Sequence, residues 1–291
     1  MPERPDLEYV IPILHRELTG RRITGVRVRK PVVLRILIDG APDSLFVGAT
    51  FRAVTRRAHF VLFDFAAPRP LALAIAPMLA GRFALDRAPA RTPADLALAW
   101  KLSDGRELRY RDDVQMGKVY VLAPDAWDSL PGLARVGVDV FDAGRFTAEV
   151  FGALAKQRRD QVKVFLMDKS AIDSMGNAYA DEVLWEARIH PKRMTRSLDD
   201  DELERLRNAI VHVLRNATDT IAQRRPPLDE KLRDFLAVRG RAGQPCQRCG
   251  ATIRTTRVRA DDAHFCPQCQ PDQRRRPFID WRRVSGAPTD E

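Results

Sequence analysis

Cysteine is scarce in this chain of 291 residues: there are four, all in the last fifth, and none precedes Cys246. The body of the protein is therefore no disulfide scaffold and has to be held by an apolar core. Long apolar runs are missing too. A stretch such as Leu71 to Ala76 is far shorter than the about 20 residues a membrane helix needs. The first residues, Met1 to Glu8, lack a basic-then-apolar export pattern, so the expectation is a cytoplasmic protein with no membrane partner. There is no internal repeat. The four tryptophans are scattered, which excludes a stacking stripe of that residue.

Charge is abundant. The composition, 45% hydrophobic and 30% charged, is that of a globular chain long enough for two domains. Lys and Arg number 49 against 39 Asp and Glu, giving a net charge of +10. Much of the excess is at one end: between Val238 and Arg283 eleven Arg face four Asp. A clustered basic segment points to a polyanionic partner, nucleic acid first.

Patterning divides the chain. A helix is expected over 6–18. Strand-like alternation follows at 22–29, 33–38, 44–47, 53–65, 71–76, 96–102, 107–111 and 118–122, with a Ser103-Asp104-Gly105 turn. Many strands without regular intervening helices predict an antiparallel β-sandwich or barrel. Beyond a linker the period becomes helical, at 146–156, 161–169 and 179–188. A longer helix should start at a Ser197 cap, with Asp200 three residues on, and bury Leu203, Leu206, Ile210, Val213, Ala217 and Ile221. Pro226-Pro227 ends it. The fold class is thus α+β and multidomain. The expected divisions are a β domain at 1–125, a linker at 126–142, a helical domain at 143–236, a finger at 237–283 and a disordered tail at 284–291.

Cys246-x2-Cys249 and Cys266-x2-Cys269 are sixteen residues apart. Each pair sets two thiolates on one tight turn, and two such knuckles close a tetrahedral shell around one structural zinc per chain. Four thiolates leave no open position for catalysis. Residues 251–259 between the pairs read as a strand. Arg248, Arg254, Arg257 and Arg259 would surround this finger, suiting nucleic-acid contact more than a protein-binding knuckle, although both readings stand.

The N-terminus offers a nucleophile. Removal of Met1 leaves Pro2 with a free secondary amine whose pKa is well below that of lysine, so part of it is neutral near pH 7. Such an amine attacks an aldehyde-like sugar carbon to form an iminium ion, and Glu3 beside it can move protons. A proline in second position is common and alone carries no function.

The opening Met-Pro-Glu-x-Pro-x-x-Glu gives that reading weight. Together with Phe165-Leu166-Met167-Asp168, the run from Met175 through Gly176-Asn177 to Glu182, Ile189-His190-Pro191 and the spaced cysteine pairs, it resembles the formamidopyrimidine-DNA glycosylase and endonuclease VIII family over nearly the whole chain, as a divergent member. The resemblance implies a β-sandwich, a helix–two-turns–helix domain and a β-hairpin zinc finger, acting as a monomer on damaged double-stranded DNA. It implies Pro2 as Schiff-base nucleophile and Glu3 as acid/base. Asn177 would hold a phosphate with Glu182 supporting that element, and Lys163 fills a lysine position as a further DNA contact. Met78 stands at a wedge position that fills the gap left by an extruded nucleotide.

The departures from the family are specific. His59, in Arg56-Arg57-Ala58-His59, takes the place of a functional lysine and would carry only part of a charge. Asp261 replaces an arginine of the finger, leaving Arg257 or Arg259 to compensate. The second wedge hairpin reads Asp112-Asp113-Val114-Gln115-Met116-Gly117. Gln115 and Met116 can contact DNA there, while the arginine that reads the opposite base is missing. The loop that covers an oxidised purine is mostly deleted. The expected activity is a DNA glycosylase with abasic-site lyase activity in base-excision repair, not specific for 8-oxoguanine. The alternatives are a damage-binding protein of the same fold with little catalysis and, further off, a basic zinc-finger regulator.

Overall fold

The computed structural model describes residues 2–87, 91–173 and 175–272. The expected tail at 284–291 and the run Arg274 to Arg276 lie outside them.

Helix α1 (Arg4–Leu18) starts where the Glu3 amide donates to the Asp6 carboxylate at 2.8 Å. Leu7, Val10, Ile11, Leu14 and Leu18 recur at helical spacing and are all buried. Among the described residues nine strands follow, interrupted by a short helix. They are β1 (Ile23–Val28), β2 (Leu34–Ile36), β3 (Thr50–Arg57), β4 (Phe60–Ala66), β5 (Ala72–Ala76), β6 (Arg82–Arg87), β7 (Leu96–Leu102), β8 (Arg106–Arg111) and β9 (Lys118–Leu122), with α2 (Pro42–Phe46) between β2 and β3. They form two sheets, in the orders β1-β7-β8-β6 and β2-β9-β5-β4-β3. Phe46, Phe51, Phe63, Trp100 and Tyr110 are buried in the core they enclose. The sandwich is antiparallel except for β2, which runs parallel to β9.

Three local expectations are corrected. Residues 44–47 are not a strand. Pro42 opens a helical turn there, and Leu45 and Phe46 are both buried, which alternation across a strand would forbid. The run 53–65 is two strands folded at Ala58, whose φ of 51° makes the turn. Strand β6 carries three charges in six residues and gave no alternation to read.

The helical domain holds α3 (Ala148–Lys156), α4 (Val162–Met167), α5 (Asn177–Glu186) and α6 (Asp200–Arg224). The cap of α6 is Asp199, not Ser197. Asp199 accepts from the Glu202 amide at 2.7 Å, and Glu202 accepts from the Asp199 amide at 3.1 Å. Leu214 is fully buried on this helix, while Val213 is only half-buried. Arg225 ends α6 in the left-handed conformation, φ 48°, just before the two prolines. The finger is an antiparallel hairpin, β10 (Arg254–Val258) and β11 (Asp261–Phe265).

An ion cluster joins the sandwich to the helical domain. Arg4 reaches Glu8 at 2.6 Å and Asp173 at 3.1 Å; Arg56 reaches Asp173 at 2.7 Å and Asp139 at 3.1 Å. Arg4 and Asp173 are both buried, so each charge depends on its partners. Asp173→Asn leaves two guanidiniums facing too little negative charge. It should lower the unfolding free energy by about 3–5 kcal/mol in urea denaturation; a loss under about 1 kcal/mol would show that the cluster is solvated and dispensable.

Candidate functional site

Glu3 is only 5% exposed, yet its carboxylate is well satisfied. One oxygen accepts the amides of Gly176 at 2.8 Å and Tyr179 at 3.2 Å; the other accepts Ala178 at 3.0 Å. The second residue-pair of the chain is thereby fastened to the first turn of α5. Gly176 is required for this approach, since a Cβ there would lie 2.6 Å from the Glu3 carboxyl carbon. Burial pushes the Glu3 carboxyl above its ordinary range, against the pull of Arg233 and of the amides. Glu3 therefore keeps its proton to higher pH than an exposed glutamate. Pro2, also buried, lines a cavity of about 20 Å³ with Leu7, Phe83, Leu228 and Lys231.

His59 lies at the β3–β4 turn, 8% exposed, and its Nδ1 has no partner among the described residues. Burial, with Lys169 and Lys118 adding to it, pulls its pKa down to about 3. The partial positive charge expected of His59 is thus absent at neutral pH. The two lysines whose fields reach it, with Lys169 also within the field of Glu3, carry the positive charge of this region instead. No sequence pattern singled them out, because they come from β9 and from the turn after α4 and meet only in the fold.

Two loops stand side by side; each crosses from one sheet to the other, β5 to β6 and β8 to β9, so the second is not the hairpin expected. The Tyr110 hydroxyl lies so close to both Gly81 and Gly117 that a Cβ at either would overlap it. Asp112 clamps the second tip, accepting from the amides of Gln115 at 2.9 Å and Gly117 at 2.7 Å. Met78 and Gln115 both have positive φ, 49° and 59°. The tips present Leu79, Val114 and Met116, each about half exposed (56%, 50% and 47%). Exposed apolar tips of this kind mark a contact surface. Leu79 was not anticipated.

The segment after α6 is short and tied down. Tyr9 donates to the Pro226 carbonyl at 2.7 Å, Arg111 pairs with Asp229 at 2.5 Å, and Lys231 reaches the Leu79 carbonyl at 3.2 Å. Arg233 pairs with both oxygens of Asp6, at 2.9 and 2.6 Å, and lies over the Tyr179 ring.

At the finger, Lys163 departs from its expected role. It is fully buried, paired with buried Asp181, and donates to the Asp262 carbonyl at 2.6 Å. It fixes β11 to the helical domain and cannot reach a partner outside. Asn177 is half-buried at the start of α5, and its Nδ2 donates to the Asp262 carboxylate at 3.0 Å. Glu182 accepts the amides of Ala237, Val238 and Arg239 at 2.7–2.9 Å, so it holds the turn that enters the finger. Arg257 is exposed on β10; Arg259 pairs with Asp160. Trp185 is half-buried against the finger's apolar cluster, donates to Cys246 Sγ at 3.4 Å and carries the Arg248 guanidinium over its ring.

The four cysteine sulfurs all lie within 4.8 Å of one another. Separations of 3.4, 3.5 and 3.9 Å between them surround the about 3.8 Å edge of a tetrahedron with zinc–sulfur bonds of about 2.3 Å. This donor set fits structural zinc, held by Cys246, Cys249, Cys266 and Cys269.

Comparison with known proteins adds to this geometry. Residues 1–119 match the formamidopyrimidine-DNA glycosylase N-terminal domain, 136–224 the formamidopyrimidine-DNA glycosylase H2TH domain, and 243–271 a zinc finger found in FPG and IleRS. The formamidopyrimidine-DNA glycosylase of Cytobacillus firmus is 31% identical over 277 residues, covering 93% of this chain and 100% of that protein. That of Symbiobacterium thermophilum is 34% identical over 280 residues, covering 93% and 90%. The Lactococcus lactis Fpg in complex with DNA containing an abasic site superposes with a TM-score of 0.83 at 25% identity, covering 93% and 100%. The same enzyme with DNA containing N7-benzyl-Fapy-dG gives 0.82 at 26% over the same shares.

Metal analysis of freshly purified, unchelated protein should find one zinc per chain, and Cys266→Ser should lose it together with the fold of the finger, because structural zinc contributes folding free energy directly. Absence of zinc in the parent would overturn the assignment.

Proposed function

The chain belongs to the formamidopyrimidine-DNA glycosylase family, and from that premise we propose that Pro2, freed of Met1, is the amine that attacks the sugar of a damaged nucleotide. The protein is a DNA glycosylase with abasic-site lyase activity, working in base-excision repair. The observation that carries the Pro2 assignment is the Glu3 clasp. It holds the N-terminal residues in one place against α5, in a setting whose burial raises the Glu3 pKa although the amides themselves lower it.

The neutral Pro2 nitrogen bonds to C1′ of the nucleotide while the bond from C1′ to the base breaks, and the proton released by that nitrogen goes to the departing base. Glu3 as acid gives its proton to the sugar ring oxygen as the ring opens to the iminium. The Glu3 carboxylate then takes a C2′ proton, and the electron pair left behind expels the 3′ phosphate, which is β-elimination. Hydrolysis of the iminium returns Pro2. Asn177 grips a backbone phosphate beside the lesion. Met78 and Met116, with Leu79 and Val114, enter the space left by the extruded nucleotide, and Gln115 and the exposed Arg257 contact the duplex. Zinc, when bound, fixes the finger and takes no part in the chemistry. The enzyme works as a monomer in the cytoplasm, on the cell's own DNA. On this reading 1–125 is the catalytic domain, 126–142 the linker, 143–236 the helical DNA-binding domain and 237–283 the finger.

Lesion choice follows from the apolar tips and the short segment at 226–233. No arginine stands between Asp113 and Gly117 to read the opposite base, and the pinned segment offers little to cover a purine. The opposite base should therefore change excision only slightly, and 8-oxoguanine paired with cytosine should be a poor substrate. Rapid, cytosine-dependent release of 8-oxoguanine in single turnover would contradict this.

A second reading, damage binding with little catalysis, is favoured by the neutral His59. Borohydride separates the two. The iminium on an abasic duplex is reducible, so protein with a processed N-terminus should be trapped covalently. A retained N-terminal extension should abolish trapping and leave binding intact, and Glu3→Gln should slow base release more than binding. Trapping that proceeds equally with a blocked N-terminus would rule out Pro2; binding without any trapping would leave the second reading.

A further inference from the structure

Two donors from different elements converge on one oxygen of Asp262. Asn177 Nδ2 donates to Oδ1 at 3.0 Å, and Arg239 Nη2 donates to the same atom at 3.2 Å. Arg239 comes from the turn that Glu182 holds by its backbone, and its other terminal nitrogen is 3.0 Å from buried Asp181. We propose that Arg239 and Asn177 together form a phosphodiester-binding site, and that the Asp262 carboxylate occupies this site in the free protein and must leave it when DNA binds. The inference rests on the reading of Asn177 as a phosphate ligand and adds to it the second ligand and an internal competitor.

The balance of charge supports displacement. Lys163 and Asp181 are both fully buried and neutralise one another. Arg239 then supplies one further positive charge and Asp262 one further negative charge. The Asp262 side chain is about half exposed (53%), so its ion pair is screened and weak, and its carboxylate can swing into water at small cost. Its backbone need not move, because the Asp262 carbonyl is fixed by Lys163 from below. Once the carboxylate leaves, Arg239 Nη2 and the Asn177 amide N–H lose their shared acceptor beside an unbalanced positive charge, while Arg239 Nη1 stays on Asp181; two convergent donors of this kind suit a phosphate oxygen. Asp261, the preceding residue on β11, is exposed and points to the other face of the hairpin, so it does not share this site. The positive charge that Asp261 removes from the finger is returned by Arg239, from a different element, and is masked until DNA competes for it.

The test uses full-length, zinc-loaded protein and a duplex carrying a tetrahydrofuran abasic analogue, with dissociation constants from fluorescence anisotropy. Asp262→Ala should bind about two- to fivefold more tightly, the worth of one exposed ion pair removed from competition. Asp261→Ala removes the same charge nearby and should gain less. In an Arg239→Gln background the gain from Asp262→Ala should vanish. Asp262→Asn, which preserves shape, should tighten binding in the same direction if the alanine variant fails to hold zinc. Unchanged or weaker binding by both Asp262 variants would overturn the proposal. So would equal gains from Asp261→Ala and Asp262→Ala, which would mean long-range charge alone. A gain that survives Arg239→Gln would remove Arg239 from the site. Asn177→Ala tests the underlying reading separately: if it binds as the parent does while Asp262→Ala still tightens, the Asn177 assignment fails and the Arg239–Asp262 competition stands.

Discussion

The carboxylate of Glu3 accepts three backbone N–H groups from the start of α5, and much of the molecule is arranged around that contact. A buried carboxylate is stable only if nearly all its hydrogen-bonding capacity is met. Here the unpaired amides at a helix start meet it, the groups a helix leaves free in its first turn. The sequence cost is visible: Gly176 has to lack a side chain, and Asp6 has to satisfy the Glu3 amide. Asp6 in turn engages Arg233, so the segment after α6 is drawn to the same point. One interaction thus brings the chain's first residues, the helical domain and the inter-element segment together beside Pro2.

Glu182, midway along α5, repeats the device by accepting the three amides of residues 237–239. Helix α5 therefore takes part in two carboxylate clasps, one to the sandwich and one to the turn that enters the finger. Asn177 stands within the first, between Gly176 and Ala178. Positive charge in this region has been moved rather than lost. A neutral His59 is surrounded by Lys118 and Lys169, and an acidic finger position is answered by Arg239.

How much of this was legible depends on whether a feature is local. The cysteine spacing states the metal shell outright, since four thiolates at those intervals have few other uses, and the sulfur separations agree. The strands that alternate are where the alternation puts them. Strand β6 escaped because charged residues on an outward face erase the period, and the break at Ala58 escaped because an alanine with positive φ leaves no compositional mark. Lys163 was misjudged for a reason of the same kind: a lysine near a DNA-binding motif looks free until the fold supplies Asp181 and the Asp262 carbonyl. His59 shows the converse. Its position was legible, but its charge was decided by burial and by lysines distant in sequence. Asp262 is the clearest case, since its neighbour Asp261 carried the visible departure while Asp262 holds the contact.

The central claim is that the N-terminal secondary amine of Pro2, held beside Glu3, performs the chemistry, although two other amines, Lys118 and Lys169, lie in the same region. Peptide mapping by mass spectrometry of the borohydride-reduced adduct with abasic DNA decides between them. The account predicts that the sugar remnant is carried by the N-terminal peptide beginning at Pro2. A remnant on a peptide containing Lys118 or Lys169, with the N-terminal peptide unmodified, would contradict it.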